Sequence, residues 1–139
     1  MKGLLVKIMN NLEEVVSYYV VNKELTMSAP KLAGQISHVA TKIAIKYQNE
    51  EDFKEWYLDG VGDQTKIILR GSEKELMKLI DLGWESQRDL GRTEIASNSL
   101  TCVGLKPMKK QEVLDKFKMV KRLQSLINKD VIKEGTING

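Results

Sequence analysis

Disulfide and zinc chemistry are what this chain is least equipped for. Its 139 residues hold one cysteine, Cys102, and one histidine, His38. That excludes an intrachain disulfide and makes a preformed zinc site untenable. A chain without disulfides suits a reducing compartment, and Cys102 sits in an apolar run, so it is expected as a buried core thiol. Long hydrophobic runs are also missing. Met1 to Val6 is apolar, but Lys2 and Lys7 interrupt it. No stretch approaches the ~20 residues of a membrane span, and no small-residue cleavage site follows an apolar core, so no signal peptide is read. The expected compartment is cytoplasmic. Net charge is slight, +3 from 22 basic and 19 acidic residues. It permits an anionic partner without requiring one. Internal repeats and low-complexity segments are absent.

What is present is the patterning of one folded domain. Residues 1–14 form an N-terminal extension, either a short packed helix or a partner-binding arm. The domain proper covers 15–127, and 128–139 is a tail without pattern. Val15 to Val21, rich in Val and Tyr, reads as the first strand. Ser28 is an N-cap and Pro30 fits the first helical turn. Leu32, Ile36, Val39, Ala40, Ile43 and Tyr47 then recur at helical spacing. A short helix spans about 50–58, and Thr65 to Leu69 is the second strand. Ser72 and Glu75 form a capping box for a helix with Leu76, Leu79 and Ile80 inside, ended by Gly83. Trp84 to Arg88 and Leu100 to Leu105 are strands three and four, followed by Pro107 and one basic helix from about Lys110 to Ile127. The expected fold is α/β: a single domain with a four-stranded mixed sheet and helices on both faces. The first three strands are candidates for parallel neighbours, and strands three and four for an antiparallel pair.

Two local patterns carry chemistry. On the first long helix, Lys31, Gln35, His38 and Lys42 share a stripe opposite the apolar face. The stripe offers a cation, an amide and an imidazole where the helix dipole favours anions. It follows the carboxyl end of strand one, where open α/β sheets bind ligands. On polarity alone it reads as an ordinary solvated face, and His38 as a structural histidine, since no serine stands in a nucleophile elbow. The second pattern is the turn Asp89-Leu90-Gly91-Arg92-Thr93, followed by Ser99-Leu100-Thr101. It holds a carboxylate and a hydroxyl close together, although Asp, Gly and Thr are also plain turn residues. A carboxylate with the reference pKa of about 3.9 is ionised at neutral pH. If strands one and three are near each other, Lys31, Asp89 and Thr93 surround one cleft.

Several motifs in register then resemble the type II peptidyl-tRNA hydrolases. The run Tyr19 to Leu25, Met27-Ser28, Lys31-Leu32-Ala33, Gln35 and Ser37-His38 is similar to that family's opening strand and its Gly-Lys-x-Ala-x-Gln-x-Ser-His-Ala helix. Trp56, Gly60 and Lys66 to Leu69 resemble its central segment. Asp89-x-Gly-Arg92-Thr93-x-Ile95, Ser99-x-Thr101, Val103-Gly104-Leu105 and Pro107 resemble its second motif and last strand. The likeness covers about 15–107. Pro30 stands where the family often has Gly, Gly34 and Ile36 replace a small residue and Cys, Val39 replaces Ala, and Ser97-Asn98 replaces Pro-Gly.

The resemblance implies hydrolysis of the ester joining a peptide to tRNA, on a peptidyl-tRNA substrate, by a homodimer without metal or other cofactor. It implies Lys31, Asp89 and Thr93 as catalytic residues, with Gln35, His38, Ser99 and Thr101 around the substrate. In that reading Asp89 orients water directly or through Thr93, and Lys31 stabilises the developing oxyanion. No base is evident that would make Thr93 a covalent nucleophile. Lys106, Lys109, Lys110, Lys116, Lys118, Lys121 and Arg122 form a basic surface that suits either backbone phosphates or simple solubility. The competing readings are a non-catalytic RNA-binding or adaptor module on the same scaffold and a protein-interaction role for the terminal extensions. A pure binder has no need of all three catalytic candidates.

Overall fold

The fold is built around one strand that is apolar on both sides. The computed structural model describes residues 3, 11–90, 96 and 98–127; the expectations for residues 1, 2 and 4–10 and for the 128–139 tail lie outside the described residues. Strand β1, Val15–Asn22, is buried along its whole length. Val16, Tyr18 and Val20 face one core, and Val15, Tyr19 and Val21 face the other. An uninterrupted apolar run of this kind belongs to a strand covered on both faces.

Helix α1, Ala29–Tyr47, begins where the sequence indicated. Ser28 is extended and its hydroxyl accepts the Lys31 amide, with Pro30 in the first turn. Leu32, Val39 and Ile43 of α1 join Phe53 and Trp56 of α2, Glu51–Tyr57, in the core on one face of the sheet. Strand β2, Lys66–Gly71, then pairs parallel to β1. Helix α3, Glu73–Asp81, carries the expected capping box and packs Leu76 and Leu79 on the opposite face. Gly83 takes the left-handed conformation just past its end, with φ of 100°. Each fully buried side chain of this kind contributes about 1.5–3 kcal/mol. A surface ion pair adds at most about 1 kcal/mol, so the two apolar faces hold the domain.

Strand β3, Glu85–Arg88, pairs antiparallel with β4, Leu100–Gly104, which pairs antiparallel with β1. The strand order is β3-β4-β1-β2-β6, where β6 is Gln124–Ser125, and the two-residue strand β5, Met108–Lys109, pairs with the start of β1. The α/β class and the helices on both faces match the sequence reading; the strand count does not. The described residues form six strands rather than four. Strand three also does not adjoin strands one and two: β4 lies between β3 and β1.

The C-terminal helix needs a second correction. Helix α4 covers only Lys110–Lys116. Phe117, at φ −123° and ψ 69°, leaves helical geometry, and a 3-10 turn over Lys118–Arg122 follows. Gln124–Ser125 then forms β6, antiparallel to the otherwise open edge of β2. Val113, Leu114, Phe117, Val120 and Leu123 still face the core as their spacing indicated. What breaks the helix is the gain from pairing an exposed strand edge, whose unmet backbone groups attract a partner.

Candidate active site

Strands β1, β2 and β3 all run in one direction, so their carboxyl ends share one edge of the sheet. The chain leaves β1 through α1 on one face and reaches β3 through α3 on the other. The crevice between β1 and β3 is therefore the topological switch point of the sheet. Helix α1 starts at that edge and runs back over β4 and β3. Gly104 permits the close approach: a Cβ there would lie 2.7 Å from Val39 Cγ1 and 2.8 Å from Tyr19 Cε1.

The polar stripe of α1 lies along β3 and β4. At its upper end Lys31 Nζ forms a direct ion pair with Asp89 Oδ1, across 58 positions of sequence, with only 8% of the lysine and 3% of the aspartate side chain exposed. One turn on, Gln35 and Thr101 are buried together, with Thr101 Oγ1 2.7 Å from Gln35 Oε1 and 3.0 Å from the Gln87 carbonyl oxygen. One hydroxyl proton serves only one acceptor at a time. With the amide turned over, Gln35 Nε2 donates to Thr101, which donates to Gln87, and both contacts are satisfied. Further along, Lys42 Nζ donates to the Ser86 carbonyl at 2.8 Å, and Lys46 pairs with Glu85 at 2.8 Å. Lys31 and Gln35 are thus buried against the edge of the sheet, while His38 and Lys42 stay exposed to water.

Asp89 stands at the root of the segment linking β3 to β4. Its amide donates to the Ser99 carbonyl at 2.8 Å, and its carbonyl accepts the Asn98 amide at 2.7 Å. Asn98 has φ of 68°, a left-handed conformation that asparagine tolerates. Ser99 Oγ donates to the Ala96 carbonyl at 2.7 Å and is partly exposed. His38 is exposed, and its imidazole makes no hydrogen bond among the described residues. Thr93, the third catalytic candidate, lies outside the described residues.

Two residues of this neighbourhood escaped the sequence reading. Asn22, 2% exposed at the carboxyl end of β1, donates from Nδ2 to the Leu100 carbonyl at 2.8 Å and accepts the Glu24 amide at 2.9 Å. It fixes the loop that delivers α1. Its signal was a polar residue closing an otherwise apolar strand. Gln87, buried on the same face as Thr101, had no signal of its own.

The paired charges are almost wholly buried. Among the described residues no three His, Cys, Asp or Glu side chains cluster as a metal site. Cys102, beside Thr101, has its thiol pushed up to about 12 by burial, which keeps it un-ionised and unreactive at neutral pH. Part of the C-terminal basic surface lies away from this edge. Lys106, Lys109, Lys110 and Lys116 pair with Glu50, Glu13, Glu14 and Glu112. The Lys110 amide and β5 attach that segment at the opposite, amino end of β1.

The chemistry available is therefore a lysine ammonium and a carboxylate, held nearly dry at the mouth of the switch-point crevice. Comparison with known proteins gives the same neighbourhood a context. Residues 15–124 match the family model described as Peptidyl-tRNA hydrolase PTH2. A peptidyl-tRNA hydrolase of Staphylothermus marinus is 35% identical over 97 residues, 63% of this chain and 78% of that protein. One of Thermococcus onnurineus is 34% identical over 106 residues, 70% of this chain and 86% of that protein. The human protein named peptidyl-tRNA hydrolase 2, mitochondrial, is 32% identical over 97 residues, 63% of this chain and 52% of its own length.

Proposed function

The chain belongs to the peptidyl-tRNA hydrolase PTH2 family, and from that premise we propose that it cleaves the ester between a peptide and the 3′ oxygen of tRNA, with Lys31 and Asp89 as the reacting pair. The observation that carries the reading is their buried ion pair at the carboxyl edge. Asp89 takes a proton from the attacking water as the new C–O bond forms at the ester carbonyl. Lys31 donates to the oxyanion as charge develops, an interaction strengthened where water is excluded. The tetrahedral centre then collapses, the bond to the 3′ oxygen breaks, and the proton held on Asp89 passes to that oxygen. The products are free tRNA and a peptide carboxylic acid, which gives its proton to solvent and leaves as the carboxylate. The lysine has three N–H donors, so contact with Asp89 leaves others for the substrate.

Thr93 is assigned on its motif and is proposed to hold the attacking water against Asp89. His38 and Ser99 are proposed substrate contacts, consistent with their exposure. Gln35 and Thr101, both buried, are proposed to serve the substrate from behind, by holding Lys31 and the end of β4. The reaction follows translation, so a cytoplasmic location is part of the reading. Among the described residues no helix is long and apolar enough to cross a membrane.

The test is release of N-blocked amino acid from N-blocked aminoacyl-tRNA by purified, metal-stripped protein. Turnover is expected. Salt-sensitive tRNA binding without any cleavage would instead favour the binding-module reading. A homodimer is proposed on the resemblance, and light scattering that returns the mass of a single chain at assay concentration would contradict it.

A further inference from the structure

The pairing of β3 with β4 is irregular at one place. Gln87 stands opposite Cys102 and Arg88 opposite Leu100, so Thr101 is the extra residue of a β-bulge. The bulge changes which way side chains point. Leu100 and Val103 both belong to the core under α3 and α4, Cys102 belongs to the core under α1, and Thr101 beside it meets Gln35 of α1. Without the extra residue, strict alternation would turn Thr101 away from α1 and bring Leu100 under it.

Gln87 holds this irregularity from the other strand. Its carbonyl is the acceptor 3.0 Å from the Thr101 hydroxyl. Its own side-chain amide donates to the Arg88 carbonyl at 2.8 Å. The next residue is Asp89. A continuous chain thus runs from Gln35 on α1, through Thr101 and Gln87, to the peptide group that precedes the reacting carboxylate. We propose that Gln87 is a positioning residue for the hydrolysis: it fixes the bulged end of β3 so that the Asp89 carboxylate meets Lys31 in reacting geometry. This rests on the assignment of Asp89 and Lys31 made above. Gln87 itself is buried and acts through the backbone that leads into Asp89.

The test compares Gln87→Met, which keeps length and volume but cannot donate, with Gln87→Glu, which keeps the shape and likewise cannot donate when ionised. Steady-state hydrolysis of N-blocked aminoacyl-tRNA is measured on folded protein, with circular dichroism as the check. Both variants are expected to lose kcat by about tenfold, with KM within twofold of the parent, because a displacement of about 1 Å at reacting groups costs up to about a hundredfold. A purely structural glutamine would lower the melting temperature and leave kcat per folded molecule unchanged, and that result overturns the proposal. So does a change confined to KM. If one variant fails to fold, the other decides. Full turnover in Asp89→Asn would overturn the underlying assignment, and this inference with it; near-abolished turnover in Asp89→Asn beside parental kcat in Gln87→Met would overturn this inference alone.

Discussion

Asp89→Asn is expected to lower the rate of ester hydrolysis by about a hundredfold or more per folded molecule, and to cost stability as well, since the buried Lys31 ammonium loses its partner. General acid–base groups contribute roughly 10²–10⁴ in rate. The amide matches the carboxylate in size but takes no proton from water. The two backbone hydrogen bonds that frame residue 89, to Ser99 and Asn98, do not depend on the side chain, so the segment keeps its place. Kinetics on the folded variant check this, with KM expected to stay near the parent value. A variant that keeps more than half of the parental kcat would remove Asp89 from the chemistry.

Lys31→Met is expected to damage both stability and turnover. At 8% and 3% exposure the two charges have little water to fall back on. Breaking a buried ion pair by removing one member typically costs about 3–5 kcal/mol. Against a total stability of about 5–15 kcal/mol that is a large fraction, corresponding to a fall in melting temperature of roughly 10 °C. Replacing both partners, as Lys31→Met with Asp89→Leu, removes the orphaned charge and is expected to recover most of the loss while remaining inactive. Thermal unfolding of the two variants makes the comparison. If the double variant is no more stable than the single, the penalty does not come from an uncompensated charge.

Much of the fold is local and was readable as such. Ser28 with Pro30 and Ser72 with Glu75 mark helix starts because a side-chain oxygen there satisfies an amide the helix itself cannot. The spacing of Leu32, Val39 and Ile43 gave the buried face of α1. What escaped is non-local. No periodicity reveals that β4 inserts between β3 and β1, because that order is set by which strands can share both cores. A two-residue strand such as Gln124–Ser125 has no pattern to read; it exists because β2 offers an edge. The apolar spacing from Val113 to Leu123 was correct for burial and misleading for helix length, since a 3-10 turn can present the same side chains inward.

The site divides in the same way. Lys31 and Asp89 were singled out from their motifs, and their meeting follows from the shared carboxyl edge of β1 and β3. The buried roles of Gln35 and Thr101 were not visible, because a glutamine on a polar stripe looks solvated until a sheet edge lies beneath it. The bulge at Thr101 leaves no mark in composition. Read as a regular strand, Leu100 to Leu105 puts Thr101 on the wrong face, and with it goes any sign that Gln87 is involved. The C-terminal cations stay open between the two readings given for them: Lys106, Lys109, Lys110 and Lys116 pair with glutamates at the surface, which spacing in the sequence does not reveal.

The central claim is that one ammonium and one carboxylate act as a single catalytic unit. Single-turnover hydrolysis of N-blocked aminoacyl-tRNA by the parent, Lys31→Met, Asp89→Asn and the double variant measures that directly. Residues that act as a unit lose nothing further once either is gone. The double variant is therefore expected to be about as slow as the slower single one. Losses that multiply across the cycle, or an Asp89→Asn variant that hydrolyses at the parental rate, would contradict it.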